Sequence, residues 1–288
     1  MILITGAAGK TGQAVIRALS GRGQDVCALV RTREQAESLR KLEVKAVVAG
    51  DMTDQDVMDR AAAGAAAVYH ICPNMHPDEI KIGEIVIRSA QTSGIEHFVY
   101  HSVLHPQIEA MPHHWHKMRA EEMLLESQLS FTIIQPAAYM QNLLANWNHI
   151  AGQGIYAVPY AVDTRISMVD LRDVAEVAAK VLVEEGHEGA VYELCGPQAL
   201  SQREVAAILS VELKRPVKAE TVPIDIWEAG ARKAGLSDFA VETLVQMFLH
   251  YEQFDFWGNP NVLSWLLGRP PATFAQFLQR VIQDRRQD

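Results

Sequence analysis

Along the first two-thirds of the chain, short apolar runs alternate with longer amphipathic stretches. The runs are MILIT from Met1, VCALV from Val26, VKAVVAG from Val44, AAVYHI from Ala66, HFVYHS from His97 and SFTIIQ from Ser130. They are rich in β-branched residues with little in–out alternation, the pattern of strands buried on both faces. Between them, stretches such as GQAVIRALSGRG and EIKIGEIVIRSAQTSG place apolar residues at helical spacing. Six such repeats with short connections predict an α/β fold on a doubly wound parallel sheet.

After about Gln135 the rhythm changes. AAYMQNLLANWNHIAG predicts a helix and GIYAVPY a strand. RISMVDLRDVAEVAAKVLVEE predicts a strand running into a long helix capped by Asp170 or Asp173. VYELCG, a helix opening near Ser201 and a mostly helical tail rich in Trp, Phe and Met complete the chain. Trp227, Trp257 and Trp265 read as core of this smaller lobe, with a partner surface as the other option.

Composition narrows the function classes. The chain has 288 residues, 49% of them hydrophobic, and carries 26 Lys and Arg against 35 Asp and Glu, a formal net charge of −9. That apolar fraction excludes a disordered chain. The acidic balance argues against direct nucleic-acid binding and against an anionic membrane surface. Cys27, Cys72 and Cys195 form no CxxC pair, so a reduced, cytoplasmic protein is expected. The opening MILITGAAG lacks the basic start of a signal peptide, and no apolar run approaches the ~20 residues of a membrane span.

The strongest chemical signal is ITGAAGKTG, with Gly6, Gly9 and Gly12. Glycines at this spacing, after a strand and opening a helix, let backbone approach a pyrophosphate at the helix N-terminus. Gly9-Lys10-Thr11 suggests a nucleotide-hydrolase phosphate loop, but Ile4 stands where that motif needs glycine. After the second strand, where NAD-binding chains place an acid for the ribose hydroxyl, this chain has Arg31-Thr32-Arg33. A guanidinium can grip a 2′-phosphate, so NADP(H) is favoured. Lys10 is either a second cation for that phosphate or a solvated first-turn lysine. Asp51, in VVAGDMTD, either reaches the adenine amino group or, like Thr53, caps the next helix.

Together with FVYHS, QPAAYMQNL, SMVDLRDVAEVAA, YELCGP and LGRPPATFAQFL, these segments resemble the NmrA-like branch of the atypical short-chain dehydrogenase/reductases over essentially the whole chain. The resemblance implies a Rossmann domain binding NADP(H), over residues 1–150, and a smaller α/β C-terminal lobe over 151–288 that roofs a substrate cleft. Segments at about 165–195 return to the first domain. Cofactor contacts are then expected from Gly6, Ala8, Gly9, Lys10, Thr11, Gly12, Arg31, Asp51, Met52, Cys72, Pro73 and Lys117.

The parent superfamily uses a Ser followed by Tyr-x-x-x-Lys. Here Ser102 ends the fifth strand and Lys117 lies on the next helix, but His113 replaces the tyrosine. Residues four apart share a helix face, so His113 and Lys117 can point the same way. His113 is thus either a proton donor near neutral pH or an exposed helix-start histidine. His105, His114 and His116 lack companion ligands at zinc spacing, so no metal is expected. Tyr139, Met140 and Asn142 follow the sixth strand, where substrate pockets open; Tyr139 and Met140 also suit a helix-start core. Two function classes remain. One is an NADPH-dependent reductase of a small, flat, quinone-like electrophile. The other is a catalytically silent NADP(H) sensor acting through a regulatory protein partner, with a homodimer also open.

Overall fold

The computed structural model describes residues 1–39, 41–42 and 44–286. Strands and helices alternate in the first half: β1 (Ile2–Ile4), α1 (Lys10–Ser20), β2 (Val26–Val30), α2 (Arg33–Ser38), β3 (Ala46–Ala49), α3 (Gln55–Ala62), β4 (Ala67–His70), α4 (Glu79–Thr92), β5 (His97–His101), α5 (Pro112–Glu126) and β6 (Phe131–Pro136). Then follow β7 (Ala138–Tyr139), a 3₁₀ segment (Met140–Asn146), α6 (Trp147–Gln153), β8 (Ile155–Val158), β9 (Arg165–Val169), α7 (Leu171–Val183) and β10 (Ala190–Leu194). The remainder is β11 (Ala199–Ser201), α8 (Gln202–Leu213), β12 (Lys218–Thr221), α9 (Ile224–Lys233), α10 (Asp238–Phe254), α11 (Asn261–Leu267) and α12 (Phe274–Asp284).

The central sheet has seven strands in the order β10-β6-β5-β4-β1-β2-β3. The pairs β1–β2, β1–β4, β2–β3, β4–β5 and β5–β6 are all parallel. Strand order therefore reverses beside β1, whose carboxyl end runs into the glycine loop; this is the crevice where doubly wound sheets bind ligands. The seventh strand is β10, which holds most of VYELCG. The chain's opening rhythm indicated only six, because this strand arrives after a long excursion.

The chain forms two compact units: residues 1–108, 113–135 and 174–192 make one, and 109–112, 136–173 and 193–288 the other. Residues 136–150, placed by pattern with the first domain, thus belong to the second unit. The core of the first unit includes Leu3, Leu29, Ile82, Val86, Phe98 and Ile133. Fully burying each large side chain there is worth about 1.5–3 kcal/mol. The second unit packs Met140, Trp147, Ile150, Leu209, Phe274 and Leu278 together.

Three local expectations are corrected. The stretch from Ala138 is not one helix: β7 pairs with β9, and the next seven residues are 3₁₀ before α6 begins. Asp170, not Asp173, caps α7, since its Oδ1 accepts the Arg172 N–H at 3.0 Å. Asp173 instead accepts from Arg269 and from the Ala272 amide. Trp257 and Trp265 are exposed, at 60% and 68%, and so are not core; Trp227 is half-buried and meets Phe248 edge-on.

Candidate active site

The loop after β1 is shaped by two glycines. Gly6 has φ +58°, and a Cβ there would lie 2.8 Å from the Ile71 carbonyl oxygen. A Cβ on Gly12 would meet the Gly6 carbonyl oxygen at 2.6 Å and Ala7 Cα at 2.7 Å. Both obstacles are backbone, so only glycine permits this tight entry into α1. Gly9 is the N-cap and offers no side chain, and the first turn holds no acid. The amides of Lys10, Thr11 and Gly12 precede any intrahelical acceptor and share the partial positive charge of the helix end. Gln13 Nε2 donates to the Ala8 carbonyl at 2.9 Å and holds the loop closed from behind. This cradle fits a pyrophosphate.

The next loops extend it. Arg31 and Arg33 are exposed at the end of β2 and start of α2, as is Lys10. The Arg31 amide donates to Gln35 Oε1 at 2.8 Å, and Thr32 caps α2, fixing the backbone while leaving the guanidinium in water. Asp51 accepts from both the amide and the hydroxyl of Thr53, each at 2.8 Å. Those bonds, with smaller help from His76 and Arg31, hold its carboxyl below the usual range. The cap of α3 is Asp54, so neither Asp51 nor Thr53 fills that role. Met52 is half-buried and Pro73 exposed. Cys72 is buried, and burial followed by the Glu79 charge pushes its thiol far up, which excludes a reactive thiolate.

Behind the loops lies a polar cluster built from β4, β5, α4 and α5. Lys117 is 5% exposed, so it is not a surface lysine. Its Nζ donates to Glu79 Oε1 at 2.6 Å and to the His101 carbonyl at 3.2 Å, and stands 5.4 Å from the Tyr100 ring centre. His113 is buried too, its Nδ1 3.5 Å from Glu79 Oε2. Tyr100 OH donates to Glu79 Oε1 at 3.3 Å, and His70 stacks on the Tyr100 ring. Thr5 links His70 to the glycine loop: its hydroxyl lies 2.9 Å from His70 Nδ1 and accepts the Ile71 amide.

Burial alone would raise the Glu79 pKa, but Lys117 and then His113 outweigh it and hold the carboxyl at about 2. Burial lowers His113 despite the adjacent carboxylate, and takes His70 and His101 to about 3. These imidazoles are neutral near pH 7. His113 is therefore not the exposed helix-start residue, and its burial disfavours the charged form. The Ser102 hydroxyl donates to Glu121, which also receives Gln135 at 2.9 and 3.0 Å.

Met140 is 2% exposed and packs in the core of the second unit. Tyr139 is half-buried and Asn142 exposed. His114 Nδ1 faces the His105 carbonyl at 3.3 Å.

Glu79 escaped the sequence reading. Its signal was the phase of its helix: Glu79, Ile82, Gly83 and Val86 share one buried stripe, so an acid stood in an apolar register.

Fold and site together define a dinucleotide-binding protein with a glycine-loop cradle and a buried, ion-paired lysine beside it. The NmrA-like family model matches residues 1–271, and the chain belongs to that family. It is 30% identical to an NAD(P)H azoreductase of Xenophilus azovorans over 279 residues, covering 96% of each chain. It is 27% identical to quinone oxidoreductase 2 of Escherichia coli, again covering 96% of each. The crystal structure of an Escherichia coli NADPH-dependent quinone oxidoreductase in complex with NADPH superposes with a TM-score of 0.85 at 26% identity, covering 98% of this chain and all of that one.

Proposed function

We propose that this protein is an NADPH-dependent reductase that transfers hydride to a small, flat, quinone-like electrophile. The observation that carries the reading is the glycine cradle on β1 and α1, with the Lys117–Glu79 pair in the same unit. The azoreductase and quinone oxidoreductase relatives, similar over almost their full length, support the same chemistry. Their substrates point to the class of acceptor rather than to one compound.

Reduced nicotinamide supplies the hydride when bound. The backbone of Gly6, Ala8, Gly9, Thr11 and Gly12 receives the pyrophosphate, and Arg31 and Lys10 meet the 2′-phosphate. Asp51 and Met52 flank the adenine, and Cys72 and Pro73 line the trough with backbone atoms. Lys117 holds the nicotinamide ribose, and its charge favours the negative charge developing on the acceptor oxygen. The quinol anion formed by hydride transfer is stabilised by its ring, so it need not be protonated in the same step. It can take its proton from solvent afterwards, and the missing tyrosine is no obstacle. Tyr139 and Asn142 are proposed as substrate contacts and Met140 is not. Ser102 acts by fixing Glu121 rather than by touching substrate.

A second reading, a silent NADP(H) sensor with a protein partner, draws on the missing tyrosine, in whose place His113 stands. A reduced cytoplasmic setting suits both readings. Among the described residues, no helix is long and apolar enough to cross a membrane. Anaerobic NADPH oxidation against a panel of quinones and enals separates the two. The reductase turns over at least one quinone, and Lys117→Ala lowers its kcat/KM by roughly 10- to 1000-fold. Tight NADPH binding without turnover on any acceptor would overturn the reductase reading and leave the sensor.

A further inference from the structure

The Lys117 ammonium is held by two acceptors from different elements, Glu79 Oε1 on the first residue of α4 and the His101 carbonyl at the end of β5. An ammonium has three donors, so two fixed bonds leave one N–H with a set direction. Glu79 is 1% exposed, and a buried carboxylate persists only when compensated. Lys117 supplies that compensation at 2.6 Å, His113 Nδ1 lies 3.5 Å from the other oxygen, and the start of the 14-residue α4 adds its partial positive charge. The remaining titratable neighbours are Tyr100, which donates to the same carboxylate, and Cys72, buried and protonated. His70, His101 and Glu121 also act on the Glu79–Lys117 pair or its Tyr100 neighbour.

We propose that Glu79 is a positioning residue for the cofactor: it fixes the Lys117 ammonium so that the free N–H meets the nicotinamide ribose. His113, in place of the superfamily tyrosine, packs on the opposite oxygen of the same carboxylate and keeps it from rotating away. The proposal rests on the role given to Lys117 above. Glu79 itself touches no cofactor atom.

The test compares two ligands by titration in solution. NADPH spans the whole dinucleotide site, whereas 2′,5′-ADP carries the adenosine and 2′-phosphate but no nicotinamide riboside. Glu79→Gln is expected to weaken NADPH about 10-fold, the scale of one charge-assisted hydrogen bond, and to leave 2′,5′-ADP binding unchanged. Lys117→Met should give the same selective loss. The double variant should bind NADPH no more weakly than Lys117→Met alone, because Glu79 acts through Lys117. Should Glu79→Gln fail to fold, Glu79→Asp, which keeps the charge but draws it back by one methylene, serves for the same comparison. Unchanged NADPH affinity, equal loss of both ligands, or additive losses in the double variant would each overturn the proposal. A wild-type chain that binds both ligands but reduces no acceptor removes the reductase reading and leaves this one standing. Wild-type binding of neither ligand removes both.

Discussion

A methyl group on Gly12 would press on the Gly6 carbonyl oxygen and Ala7 Cα, and neither can swing aside as a side chain would. Gly12→Ala is therefore expected to cost roughly 1–3 kcal/mol of stability and to remove measurable NADPH binding, read by urea unfolding and cofactor titration. Arg31 is the opposite case, an exposed side chain whose backbone is already held by Gln35. Arg31→Ala should leave unfolding unchanged and weaken NADPH by about 10-fold or more, with NADH affinity unaffected; equal losses for both cofactors would contradict a 2′-phosphate contact. Both residues were legible in the sequence because their work is local: a turn needing no Cβ, and a cation after a strand. Glu79 was not, because its meaning comes from Lys117, 38 positions away and on another helix. His113 shows the same limit. Its identity was readable, but its burial and lowered pKa depend on α4 packing beside α5.

Secondary-structure elements were readable where periodicity and capping agreed. Two helices of the second unit open with full capping boxes, Ser201 with Glu204 on α8 and Thr273 with Gln276 on α12. Thr273→Ala should lower stability by about 1 kcal/mol, measured as a lower urea midpoint with unchanged slope, and leave NADPH affinity at the wild-type level. The segment from Ala138 was misread because its apolar residues occur at spacings that suit either an α-helix or a 3₁₀ turn. Pairing of Ala138 and Tyr139 with β9 then takes the first residues into a sheet. The seventh strand, β10, was recognisable as a short apolar run, but nothing in its own residues says that it lies beside β6. Trp257, in the loop after α10, and Trp265, on α11, are both exposed, which their apolar character did not indicate.

For the whole molecule, the acid response follows from buried neutral groups. Burial depresses His70, His101 and His114 to about 3. Unfolded, these imidazoles take up protons from about pH 6.5 downward, while folded ones stay neutral until about pH 3. The unfolded state thus binds more protons between those limits, and stability falls as pH drops through them. Glu79, held at about 2, adds a further loss beginning near its ordinary value of about 4.5. Urea midpoints should fall steadily from pH 7 to pH 4, and His114→Gln should reduce that slope by about one proton. A flat profile would mean that these histidines are solvated. The net charge of −9 sets the background against which Lys10, Arg31 and Arg33 stand as exposed cations on the glycine loop, the end of β2 and the start of α2. By itself the sequence determined the alternating fold, the glycine loop and the cation after β2, because each is written in the spacing of neighbouring residues. Only the tertiary structure decided that a carboxylate and a lysine share one buried site, that Ser102 serves Glu121, and that Met140 is core. Those outcomes depend on partners distant in the chain. The phase of α4 carries a local sign that Glu79 is buried, but no local pattern names the group it meets there.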